Sequence, residues 1–181
     1  MTDGRPLGEP WESKFEKVYF EHYARVVSVL FRLTPSRTEA EDLANEVFWK
    51  LYRRQLPPNP DGNVAGWLYR TATNLGIDVL RKNARRRQHE HEAARLADQS
   101  QSTTGPLDEV LRAEKRQAVR RALAELKPVQ AQALILRASG FSYHEMAEAL
   151  GVKRVSIGTV LLRAERAFRK QYRAGSGEEE S

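Results

Sequence analysis

Apolar residues recur at helical spacing along most of the chain, interrupted by short breaks rich in proline, glycine or small polar residues. The first stripe runs Trp11, Phe15, Val18, Tyr19, His22, Val26, Leu30 and Leu33, and stops at Thr34 and Pro35. The second is Ala40, Leu43, Ala44, Val47, Phe48 and Leu51. It opens at Thr38 and Glu41, which have capping-box spacing, and ends before Pro57, Pro58, Pro60 and Gly62. The third, Val64 to Arg87, carries two stripes. Val64, Trp67, Leu68, Thr71, Ala72, Leu75 and Val79 form one broad face, while Arg70, Asn74, Ile77 and Arg81 line up beside it. The first face is expected to be buried and the second offered to a partner, with Asn63 or Asp61 placed to cap the helix.

From Gln88 to Pro106 large apolar residues almost vanish, which predicts a flexible tether. Periodicity resumes at Leu107, Val110, Leu111, Val119, Leu123 and Leu126, then again after Pro128 with Val129, Ala133, Leu134 and Leu136. Ser142 and Glu145 have capping-box spacing and open a short helix that Gly151 closes. In the next helix, from about Arg154 to Tyr172, Ile157, Val160, Leu161, Ala164 and Phe168 can pack on Met146, Ala147, Leu150 and Val152 across the turn. That is a helix-turn-helix pattern. The chain therefore reads as all-α, with two small helical domains over 11–87 and 107–173, a linker over 88–106, and a polar tail over 174–181 to which no function is assigned.

Charge narrows the class of partner. Thirty lysines and arginines against 24 acidic residues leave a net +6, gathered in patches, which favours a polyanion. Five of the seven residues from Arg81 to Arg87 are basic. Without cysteine, disulfides and thiolate metal sites are excluded. The first residues lack an apolar leader and no run approaches the length needed to span a bilayer, so a cytoplasmic protein without membrane insertion is expected.

Candidate chemistry sits on three surfaces. Asp42, Glu46, Trp49 and Arg53 share the solvent face of the second helix, an aromatic among charges, as in a protein-binding anchor with a polar rim. The third helix offers its stripe and terminal basic run to nucleic acid. A recognition helix presents its first residues to the major groove, nominating Lys153, Arg154, Ser156 and Thr159, with Arg163 and Arg166 lying further along toward phosphate. No catalytic residues, cofactor or metal site are expected. Glu39, Glu41, Asp42, Glu46 and Asp78 are better explained as helix N-terminal charges and a protein contact face than as a nuclease centre. His89 and His91 flank Glu90 in the tether, which is weak as a metal site.

Taken together, these segments resemble bacterial sigma factors of the extracytoplasmic-function type. AEDLANEVFWKLYR resembles region 2.2 of that family, WLYRTATNLGIDVLRKNARR regions 2.3 and 2.4, and LAELKPVQAQALILRASGFSYHEMAEALGV with SIGTVLLRAERAF region 4. The resemblance covers almost the whole chain and implies a promoter-specificity subunit of RNA polymerase. It implies that Asp42, Asn45, Glu46, Phe48 and Trp49 bind the β′ clamp helices, although Asn45 stands where the family usually has glutamine. It implies that Arg70, Asn74, Arg81, Lys82 and Arg85 contact the minus 10 element, with the loop Asp61, Gly62 and Asn63 as a base-capturing element. Region 4 would read the minus 35 element as duplex through Lys153, Arg154, Ser156, Thr159 and Arg163 and meet the β flap. Here Gly158, Thr159 and Val160 replace the Lys-Ser-Arg of many relatives. Partners implied are core RNA polymerase, promoter DNA and an anti-sigma factor. The alternative, a helix-turn-helix regulator that is not a polymerase subunit, explains residues 107–173 but not the second and third helices.

Overall fold

A computed structural model describes residues 11–54, 63–97 and 107–176; for 91–97, 107–110 and 176 only the backbone is considered. Seven α-helices occur among these residues: α1 (Trp11–Phe31), α2 (Arg37–Arg54), α3 (Val64–Ala97), α4 (Leu107–Ala124), α5 (Pro128–Ala138), α6 (Tyr143–Leu150) and α7 (Ile157–Ser176). A 3-10 turn, Arg154–Ser156, leads into the last.

Local chemistry sets the helix starts. The Ser36 hydroxyl accepts the Glu39 amide at 3.2 Å and so begins α2, whereas the expected pair Thr38 and Glu41 lies inside the helix. Glu41 instead accepts from Arg37 at 2.8 Å. Asn63 Oδ1 accepts the Gly66 amide at 2.7 Å and caps α3. Pro128 begins α5, and the Ser142–Glu145 capping box begins α6 with both reciprocal bonds formed. Gly151 ends α6 at φ 67°, a left-handed conformation that favours glycine.

The structure corrects the expected tether over 88–97, while its remainder, 98–106, lies outside the described residues. Helix α3 continues through residues 88–97, giving it 34 residues and a length of about 50 Å. Low hydrophobicity argues against burial, not against helix. The Arg86–Glu90 pair at 3.5 Å and the helix-favouring run EHEAARLA carry the coil onward. In α4, Leu111 and Val119 are exposed although the stripe anticipated burial.

Helix α3 is the shared element, touching α1 and α2 on one side and α4, α5 and α6 on another. The buried residues consequently form one continuous cluster. It joins Val26, Leu30, Phe48 and Leu68 of the first unit to Leu123, Leu126, Phe141 and Met146 of the second. Within the first unit, Phe48 meets Phe15 and Tyr19 edge-on and packs against Tyr23 at 5.8 Å between ring centroids. Gly76 permits α3 to lie close to α1: a Cβ there would fall 2.6 Å from Leu33 Cδ1 and 3.2 Å from Leu30 Cδ2, both side chains being fully buried.

Two glycines therefore have opposite expected responses to alanine. Gly76→Ala overpacks the α1–α3 crossing and should cost about 1–3 kcal/mol. Gly158→Ala meets open space at the start of α7 and should stabilise by up to about 1 kcal/mol through helix propensity. Equilibrium denaturant unfolding of both variants checks the pair. A second expectation concerns acid. The Arg25 hydrogen bond, opposed by burial and aided by the Ser142 amide and hydroxyl, lowers the Glu145 pKa from 4.5 to about 2. A depressed carboxylate contributes stability above its unfolded value, and that stability is lost as pH falls from 4.5 toward 2. Because Arg25 and Glu145 belong to different units, Glu145→Gln should flatten the acid loss between these values in a thermal-melt series against pH.

Candidate nucleic-acid and partner interfaces

The stripe expected to face a partner does so within the chain. Arg70 Nε donates to the Ala149 carbonyl at 2.6 Å and Nη2 to that of Glu148 at 2.9 Å, at the C-terminal end of α6. Arg81 repeats the arrangement at the end of α4, donating to the carbonyls of Ala124 at 3.2 Å and Leu126 at 2.8 Å. The last carbonyls of a helix lack intrahelical partners and lie at the negative end of its dipole, so guanidinium groups complement them in both hydrogen bonding and charge. Between the two arginines, Gln132 donates to Asn74 Oδ1 at 2.6 Å and to Thr73 Oγ1 at 3.2 Å, and Ile77 is buried. Gly151 is needed twice. A Cβ there would lie 2.7 Å from Arg70 Nη2 as well as straining the left-handed turn.

A second set of contacts closes the same boundary. Arg25 forms a 2.5 Å ion pair with Glu145 and lies 3.8 Å from the centroid of Phe141, which meets Tyr69 edge-on at 4.5 Å. Arg120 donates to the Thr34 carbonyl, and its Nε is buried without an acceptor. Burial, aided by Arg116 and Arg87 and opposed by Glu39, lowers the Arg120 pKa. His22 is held below its usual pKa by burial, the effect of Glu21 opposing and that of Arg25 adding to it, and bonds Tyr69 Oη at 3.0 Å. Tyr69 is thus structural. Arg25, Phe141 and Gln132 acquire these roles only through contacts distant in sequence, which periodicity does not reveal.

The minus 10 set consequently divides. Arg70, Asn74 and Arg81 bond to the second unit, and Asn63 caps α3, while Lys82 and Arg85 remain exposed. Asp61 and Gly62 lie outside the described residues. Among the described residues Asp78 forms no ion pair with Arg81 or Lys82, and Arg81 turns toward α4. Trp67 is half-buried, with the Arg54 guanidinium 5.7 Å from its ring centroid.

The α2 face is open. Asp42, Asn45, Glu46 and Trp49 are exposed, Trp49 by 59% and stacked on Tyr52 at 5.9 Å, and Glu46 pairs with Lys50 at 2.7 Å. Phe48 differs from the expectation of a partner contact. At 2% exposure it belongs to the aromatic core and has no surface to offer. Phe20, 81% exposed on α1, is a further apolar surface residue that the stripe omitted.

In the helix-turn-helix, Met146, Ile157, Leu161 and Ala164 are buried and fix α6 against α7. Lys153, Arg154, Thr159 and Arg163 are exposed and Ser156 is half-exposed. Val155, between two nominated residues, is 86% exposed, and Leu162 is also open. Among the described residues no cluster of three His, Asp or Glu could hold a metal, and no helix is long and apolar enough to cross a membrane.

Comparison with known proteins agrees with this architecture. Residues 18–86 match the family description Sigma-70 region 2, and residues 116–168 match Sigma-70, region 4. The chain is 32% identical to the ECF RNA polymerase sigma factor SigE of Mycolicibacterium smegmatis, an alignment covering 88% of this chain and 60% of that protein. It is 28% identical to the RNA polymerase sigma factor YlaC of Bacillus subtilis, covering 91% and 95% respectively. The chain thus spans less than two thirds of SigE but nearly all of YlaC. In fold it is similar to the sigma factor RpoE of Bartonella quintana, solved in complex with the anti-sigma factor NepR, with a TM-score of 0.51 and 24% identity over 87% of this chain and 96% of that one. With both regions matched in order and each forming its own helical unit, the chain belongs to the sigma-70 family, as a member of the extracytoplasmic-function type.

Proposed function

We propose that the protein is a non-catalytic subunit that binds core RNA polymerase, recognises minus 10 and minus 35 promoter elements and promotes DNA opening in the cytoplasm. The observation that carries this reading is Trp49, more than half exposed among Asp42, Asn45 and Glu46 on a helix remote in sequence from the helix-turn-helix. A duplex-binding regulator has no use for such an anchor, whereas a subunit that docks on the β′ clamp helices does. The second unit would meet the minus 35 duplex through Lys153, Arg154, Ser156, Thr159 and Arg163, and the β flap.

Minus 10 binding carries a geometric condition. Arg70, Asn74 and Arg81 reach the open strand only after leaving the carbonyls and amide of the second unit, so the described arrangement is a closed form and the active one is opened. Lys82 and Arg85 are already accessible for first contact. The RpoE structure includes an anti-sigma factor, and a protein of that class is the regulator we infer for this chain.

In vitro transcription with core polymerase on a pool of genomic fragments tests the proposal, and absence of any chain-dependent transcript overturns it. Within that assay, Asp42→Lys with Glu46→Lys should weaken core binding at least tenfold, as should Trp49→Ala, each a loss of about 1.4 kcal/mol or more. Thermal midpoints should hold, because these side chains are exposed. Phe48→Ala, by contrast, should cost about 3–5 kcal/mol of stability through the cavity it leaves.

A further inference from the structure

Where α3, α4 and α7 converge, a cleft of about 1160 Å³ is lined by six cations: Arg81, Lys82, Arg85, Arg87, Arg120 and Arg121. Only two carboxylates, Asp78 and Glu125, share its walls. Lys82, Arg87 and Arg121 form no ion pair among the described residues. Arg120 adds the buried Nε that has no acceptor. Crowded like charges with an unanswered donor favour a counter-anion, since each raises the cost of holding the others together.

The third wall indicates where that anion comes from. Gln171, Ala174 and Gly175, in the last turns of α7, line the same cleft. Two residues beyond Ser176 the sequence runs Glu178, Glu179, Glu180, the densest acidic run in the chain. These glutamates lie outside the described residues, yet their tether is short. Two to four residues of extended chain span about 7–14 Å. A group held on so short a tether has an effective concentration in the millimolar range, enough for weak ion pairs to be populated.

We propose that Glu178, Glu179 and Glu180 fold back into this cleft and act as a built-in competitor for nucleic-acid phosphate. The acidic run neutralises Lys82, Arg85 and Arg87, the cations that the closed form leaves available on α3, and bridges them to Arg120 and Arg121 of α4. It therefore screens the basic surface from non-specific DNA and holds the two units together. A long phosphate backbone, carrying many more charges than the tail, displaces it. The proposal rests on the sigma-factor reading only in taking DNA as the ligand that is displaced; occupation of the cleft rests on charge and tether length.

The full chain carries its own probe, because Lys82 is the only lysine on the cleft wall. Zero-length carbodiimide coupling at low protein concentration, followed by peptide mass mapping, should join Glu178, Glu179 or Glu180 to Lys82 within one chain, and Lys82→Arg should abolish that link. Coupling of Lys82 only to Asp78 or Glu125 overturns the proposal. In parallel, Glu178→Gln with Glu179→Gln and Glu180→Gln should tighten binding of a non-specific single-stranded oligonucleotide roughly three- to tenfold at low salt, the difference fading as salt rises. Equal affinity of the two chains at low salt also overturns it. If link and affinity change are both found but core polymerase yields no transcript, the sigma reading fails and the tail remains assigned. Normal transcription without link or affinity change removes the tail alone.

Discussion

Two arginines of α3 bonded to two helix ends hold this molecule in its described form. Arg70 satisfies the terminal carbonyls of α6 and Arg81 those of α4 and its following turn. Each guanidinium meets two oxygens at once, matching a planar fork to a place where helical geometry leaves acceptors unpaired. The apolar contacts between the units, Tyr69 on Phe141 and Ile77 within the shared cluster, lie between or beside these bonds. Release of the arginines would leave helix C-termini unsatisfied and an aromatic contact facing water, which couples these contacts to one another.

The same chemistry is what the proposed function asks of this stripe, which would serve two ligands in turn. A phosphate and a helix C-terminus both present oxygens carrying partial or full negative charge, and arginine binds either. A neutral polar side chain in these positions would hold the helix ends less well and the DNA backbone less well. In the proposed function, closed and open forms thus draw on one set of donors, and competition sets their balance. Hydrogen bonds to charged groups contribute about 1.5–3 kcal/mol each when screened from water, and less at this half-exposed boundary. A boundary of that strength is one that a competing surface can displace, as the proposed function requires.

Much of the fold was legible in the sequence because it depends on local rules. The helix-turn-helix needed only the Ser142–Glu145 capping box, Gly151 and a periodic apolar face, all within about 25 residues, and each took its expected place. The full length of α3 is not legible, because absence of large apolar residues does not mean absence of helix, and Arg86 and Glu90 carry it onward. Thr38 was an equally good cap on paper, and Ser36 took the role because the chain turns there, after Thr34 bonds the carbonyls of Leu30 and Ser36. The partner of the Arg70 stripe could not be read, because Ala149 lies 79 residues away and an arginine facing outward looks the same whether a carbonyl or a phosphate awaits it.

Phe48 and Trp49 show where family resemblance and physics separate. Adjacent residues on a helix point about 100° apart, so only one of the two can face outward when the other occupies a ring cluster with Phe15, Tyr19 and Tyr23. Resemblance nominates both for a polymerase contact, while burial leaves only Trp49 with surface to offer one. Phe48 acts one step behind, by fixing α2 against α1 so that Asp42, Asn45, Glu46 and Trp49 are presented as one rigid face. A similar division runs through α3. Leu68, Ala72 and Leu80 bury the helix while Lys82 and Arg85 stay in water, and between them Arg70, Asn74 and Arg81 bond to the second unit.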